Sequence, residues 1–141
     1  MSFLSILERF DAWTHLVCGA ASCGGGVALS AGRCEIVHVH EGAGVDVHLT
    51  RWAIDRFAQE LRQVGAVSVG AACAWVTVEV ERPADADVLM TLVSLALHAH
   101  TGGGSARPSA PCTLRRGWRT AARGAVSARP HPVHECRAAG K

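Results

Sequence analysis

Beyond Thr101 the sequence stops supplying anything to bury, which confines any folded core to about the first hundred residues. From Gly102 onward Gly, Pro, Ser, Ala and Arg dominate, and the large apolar residues shrink to Leu114, Trp118, Val126 and Val133. Such a stretch cannot offset its ordering entropy by burial, so residues 101–141 are expected to be a disordered tail. The same composition is what a G+C-rich gene yields when read in a shifted frame, and on composition both readings stand. Charge divides at the same place. Residues 1–100 hold six Arg against eleven acidic residues, whereas residues 101–141 hold seven Arg and Lys141 against Glu135 alone. The net charge of +2 therefore conceals an acidic body and a basic tail. A tail of this kind can contact nucleic acid weakly and without sequence preference, through counterion release.

A chain of 141 residues suits one domain, here residues 1–100. It has no uncharged apolar run of about eighteen residues, so no membrane span is expected. Glu8, Arg9 and Asp11 come too early for a secretory signal, which makes the cytoplasm the expected compartment and reduced thiols the expected state of the six cysteines. The sequence leaves the oligomeric state open.

Residues 2–13 place Phe3, Ile6, Leu7, Phe10 and Trp13 at helical spacing and predict an amphipathic helix. Residues 14–26, rich in Gly, Ala, Ser and Cys, read as a loop ending in Gly24-Gly25-Gly26. Strands follow at 27–30, 34–40 and 45–49, with turns at Gly32 and at 41–44. Thr50 then caps a helix over 51–64 with the stripe Ile54, Phe57, Ala58, Leu61 and Val64. Residues 74–80 alternate as a strand with Trp75 at its buried beginning. Pro83 opens a last helix over 84–100 that turns Val88, Leu92, Leu95, Ala96 and Ala99 inward. The expected fold is α+β, in the order α-β-β-β-α-β-α. Its small sheet is mostly antiparallel, with the helices gathered on one face.

The segment Glu35-Ile36-Val37-His38-Val39-His40-Glu41, followed by Asp46-Val47-His48, holds the candidate chemistry. In a strand of period two, His38 and His40 share one side and Glu35 takes the other. With Gly42-Ala43-Gly44 as the loop, His40 faces Asp46 and His38 faces His48. A carboxylate such as Asp46 could then orient a proton-accepting imidazole, with a second imidazole nearby to hold a substrate oxygen. The plainer reading is a polar ladder that only stabilises the sheet. His-x-His beside a carboxylate also suits Zn, Fe or Mn, with Glu41 or His48 as a third ligand. Cys18 and Cys23 are too loosely spaced for a zinc knuckle.

Gly32-Arg33-Cys34-Glu35-Ile36-Val37-His38-Val39-His40 resembles the Arg-Glu-Ile-x-His-x-His signature of the luciferase domain, shared by fungal luciferases and actinobacterial proteins. Cys34 stands where that signature has Arg. Trp13 upstream, Gly25-Gly26 before the first strand, Val45-Asp46, His48-Leu49 and Trp75-Val76 keep the family's order over residues 10–100. The resemblance implies a domain that binds or oxidises a small electron-rich enol or hydroxypyrone with molecular oxygen, as fungal members do with 3-hydroxyhispidin, needing no metal, flavin or other cofactor. It implies His38 and His40 as catalytic residues, and Glu35, Asp46, His48 and Trp75 as substrate contacts in a pocket between sheet and helices. Val67-Ser68-Val69-Gly70-Ala71 lacks the His-rich stretch and Pro usual before the Trp strand. That departure motivates the alternative, a non-catalytic ligand-binding or protein-interaction domain that keeps the fold.

Overall fold

The computed structural model describes residues 2–40, 44–69 and 74–101. Their elements run α1 (Phe3–Glu8), β1 (Val17–Ala20), β2 (Val27–Ala31), β3 (Cys34–His40), β4 (Gly44–His48), α2 (Arg51–Arg56), α3 (Ala58–Gln63), β5 (Val67–Val69), β6 (Trp75–Val78) and α4 (Pro83–Thr101). The strands form one sheet in the order β1-β2-β3-β4-β6-β5, and every pairing is antiparallel. The α+β class and the antiparallel sheet are as expected; the element order gains β1, β5 and a division of the middle helix. The tail read from composition lies outside the described residues, apart from Thr101 at the end of α4.

Alternation along the three central strands divides the sheet into two unlike faces. Val37, Val39, Val45, Val47, Val76 and Val78 point one way and are all almost completely buried. They form one core with Ala53 and Ile54 of α2, Leu61 of α3, and Ala86, Leu89, Leu92, Val93 and Ala96 of α4, so the helices gather on this face. His38, His40, Asp46, His48, Trp75 and Thr77 occupy the other face, and they too are buried. This corrects the expected pocket between sheet and helices: the two imidazoles point away from the helical layer.

The remaining differences have local causes. β1 is exposed at every residue, and an edge strand buried on neither face carries no alternation in sequence. β5 is a three-residue edge strand, too short for a periodic signal. The first helix stops at Glu8. Turns closed by Phe10 N–H to the Leu7 carbonyl and Trp13 N–H to the Phe10 carbonyl carry the chain on, and they keep Phe10 buried without a helix. Thr50 caps α2 as expected, its hydroxyl accepting from the Ala53 N–H at 3.3 Å. The helix then breaks at Phe57, whose backbone leaves the α region at φ −112° and ψ 21°. In α4 the buried apolar positions are Ala86, Leu89, Leu92, Val93 and Ala96, so Leu92 and Ala96 face inward as expected, whereas Val88, Leu95 and Ala99 are only partly covered. The inward stripe is thus turned part of the way toward Ala86, Leu89 and Val93, and Asp85 caps the helix start by accepting from the Glu81 and Arg82 N–H groups. No helix among the described residues is long and apolar enough to cross a membrane.

Candidate functional site

Two imidazole–carboxylate pairs lie side by side on the polar face. His40 donates from Nε2 to Asp46 Oδ2 at 3.1 Å, and the other Asp46 oxygen accepts from the Thr77 hydroxyl at 2.6 Å. His40 Nδ1 is hydrogen-bonded to the Gly25 carbonyl. Both partners of this ring are acceptors, an arrangement that favours a proton on each ring nitrogen and so the imidazolium form. Burial alone would lower its pKa; the bonds to Asp46 and the Gly25 carbonyl, with the charge of Asp46, outweigh that and hold it above the ordinary value.

The second pair is His38 with Glu35. His38 Nε2 donates to Glu35 Oε2 at 3.0 Å, and the same carboxylate is gripped by the Ser22 N–H at 2.9 Å and by the Ser22 hydroxyl. Burial works to raise the Glu35 pKa. The two Ser22 hydrogen bonds, joined by the neighbouring His38, overcome it and set the carboxyl below its ordinary value. With Nε2 bonded to the carboxylate, the other ring nitrogen of His38, Nδ1, is fully buried with no hydrogen-bond partner. A buried polar atom left without a partner is uncommon and costly.

Glu35 reaches this face because the ladder slips. Leu29 pairs with Val37 but Ser30 pairs with Glu35, which leaves Ile36 as an extra residue on β3. Ile36 and Val37 are both buried in the apolar core, so the alternation resets across the bulge and Glu35 joins the side of His38. Strict period-two reading places it on the wrong face. The β3–β4 register also differs from expectation by two residues: His38 lies opposite Asp46, and His40 opposite Gly44. A shift of two keeps every side chain on its face, so His40 still meets Asp46, now diagonally.

Trp75 closes one side of the cluster, its ring 4.6 Å from that of His38 and 4.7 Å from that of His48. The His48 ring also meets His100 at 4.5 Å. Burial, reinforced by His100, pushes the His48 pKa down to about 3. The segment 21–26 supplies Ser22 and Gly25 from above. Gly26, at φ +130°, is pressed so closely on β3 that a Cβ there would overlap the Val39 carbonyl. Cys23 of the same segment brings its sulfur within 4.8 Å of a ring nitrogen of both His38 and His40.

All six residues singled out in the sequence thus assemble on one face, Glu35 through the bulge. Ser22, Cys23, Gly25, Thr77 and His100 were missed. Thr77 was accessible to sequence reasoning, since it shares the parity of Trp75. The others depend on where a glycine-rich loop and a helix end come to rest. Glu41, the other metal-ligand candidate of the sequence, lies outside the described residues.

Comparison with known families gives one match: residues 33–96 fit the family model of the luciferase domain. No curated protein and no solved structure matches the chain.

Proposed function

We propose, from the match of residues 33–96 to the luciferase-domain model, a domain that takes a small, acidic, electron-rich enol of the hydroxypyrone type and prepares it for reaction with molecular oxygen. The observation that carries this reading is the orphaned Nδ1 of His38, buried on a ring whose Nε2 is bonded to Glu35. An enol hydroxyl is the kind of donor such an atom lacks. His38 then serves as the general base, and Glu35 fixes its orientation as a carboxylate does for a catalytic imidazole. His40, charged and braced by Asp46, supplies the cation that holds the enolate oxygen. Trp75 and His48, stacked on each other, wall one side of the imidazole pair.

The chemistry balances without an added reductant. His38 accepts the enol proton, the enolate passes one electron to oxygen, and the resulting radical pair joins through a carbon–oxygen bond. The peroxide anion so formed recovers the proton from His38. Every electron that oxygen gains comes from the substrate. The test is oxygen consumption with a panel of hydroxypyrones, in the wild type and in His38→Gln. Loss of the base is expected to slow uptake about 10²-fold or more. Absence of uptake across the panel rejects the oxygen chemistry.

A second reading, a ligand-binding or interaction domain without catalysis, is supported by burial and by the position of a cavity. His38 and His40 are 2% and 4% exposed. A cavity of about 420 Å³ lies elsewhere, between α2, α3 and β5, with Arg51, Ile54, Asp55 and Val67 in its wall. A ligand that raises the melting temperature equally in the wild type and in His38→Gln, with no oxygen consumed, would favour it.

A further inference from the structure

We propose that Cys23, His38 and His40 form a site for one divalent metal ion of the zinc class. The sulfur and one nitrogen of each ring already lie within 4.8 Å of one another, and tetrahedral zinc needs such donors about 3.5 Å apart, given metal–sulfur and metal–nitrogen bonds of about 2.3 and 2.0 Å. One thiolate with two imidazoles is a donor set of intermediate softness that suits zinc or cobalt(II), and three protein ligands leave a fourth position open.

Three donors near one another do not make a site, and two further observations point to an occupant. The Nδ1 of His38, the ring nitrogen that Glu35 leaves available, is buried and without a hydrogen-bond partner. Both imidazoles also have a carboxylate on Nε2: Glu35 at 3.0 Å for His38 and Asp46 at 3.1 Å for His40. Carboxylate–imidazole–metal is the arrangement in which a ligating histidine is held in the correct tautomer and made more basic, and its carboxylate–imidazole part occurs here twice. The carboxylates are braced in turn, Glu35 by Ser22 and Asp46 by Thr77. His40 Nδ1 bonds the Gly25 carbonyl, so metal binding exchanges that hydrogen bond for a coordinate bond and releases a proton.

The site stands on its donor set and does not require the enol reading. The two occupants exclude each other, because a metal on Nδ1 removes His38 as a base. The full-length protein, stripped with a chelator, is titrated with cobalt(II). One equivalent is expected to give tetrahedral d–d bands and a thiolate-to-cobalt charge-transfer band, all lost on adding zinc. Cys23→Ser is expected to lose the charge-transfer band, and His38→Gln to lose tight binding, each with a folded circular dichroism spectrum. Glu35→Gln and Asp46→Asn are expected to keep the bands and weaken the affinity about 10–100-fold. No bands from folded wild-type protein would overturn the proposal, as would bands unchanged in folded Cys23→Ser. If Cys23→Ser does not fold, unchanged affinity in folded His38→Gln overturns it equally. Oxygen uptake is measured separately on the metal-free protein, so either idea can fail alone.

Discussion

Replacing His48 by Phe tests whether the buried imidazole face sets the acid sensitivity of the fold. His48 is 5% exposed and stacks on Trp75, and burial with the nearby His100 lowers its pKa from 6.5 to about 3. The unfolded chain accepts a proton below 6.5 that the folded chain refuses. Stability from this group is therefore complete above pH 6.5 and is lost progressively as the pH falls toward 3. By about pH 5 the loss reaches about 2 kcal/mol, at about 1.4 kcal/mol per pH unit. For a domain of this size that corresponds to a fall of about 8–16 °C in melting temperature between about pH 7 and pH 5. His100, whose pKa burial also lowers despite its bond to the His48 carbonyl, acts in the same direction. His40 does not, because a raised pKa gives stability that is complete below 6.5 and is lost only as the pH rises. Glu35, with its lowered pKa, begins to matter only below the ordinary carboxylate range. Thermal melts of wild type and His48→Phe at the two pH values isolate the effect: any constant cost of the Phe ring cancels in the difference. The variant is expected to lose most of the pH dependence. Equal slopes in the two proteins would refute the assignment.

Three shorter predictions follow the same physics. Asp46→Asn leaves the buried His40 imidazolium without its counterion and is expected to cost on the order of 3 kcal/mol in urea unfolding near neutral pH, less at higher pH where His40 can shed its proton. Gly26→Ala drives a Cβ into the Val39 carbonyl at a positive φ and is expected to cost about 2 kcal/mol or more; Gly19→Ala, with nothing within 4 Å and no positive φ, should be close to neutral. A chain ending at Thr101 is expected to melt with the full-length protein and to lose any salt-sensitive retention on nucleic acid, since the excess positive charge lies beyond that residue. A large fall in melting temperature on truncation would contradict the division read from composition.

Much of the helical layer and the centre of the sheet was legible because burial there is one-sided and periodic. Thr50 before Ile54 marks a helix start, and Pro83 before the acidic residues Asp85 and Asp87 marks another. The strands around Val37, Val39, Val45 and Val47 follow from their alternation. The candidate residues were legible as well, since His38, His40, Asp46, His48 and Trp75 are polar or aromatic groups at strand positions of one parity. β1 and β5 were not, because an edge strand is defined by the neighbour it pairs with and carries no mark of its own. The break at Phe57 was equally hidden, since residues 51–64 keep a helical stripe straight through it.

By itself, then, the sequence determined which segments could be strands and helices, and that two histidines and an aspartate share a surface. Those properties depend on residue type and spacing along the chain. Only the tertiary structure decided what the histidines meet. One extra residue at Ile36 turns Glu35 toward His38, and the segment 21–26 folds back so that Ser22, Cys23 and Gly25 close over the imidazoles. A bulge forms where the partner strand requires it, and a glycine-rich loop comes to rest where packing and hydrogen bonds pull it. Neither leaves a period in the sequence, because both are set by contacts between residues far apart in the chain.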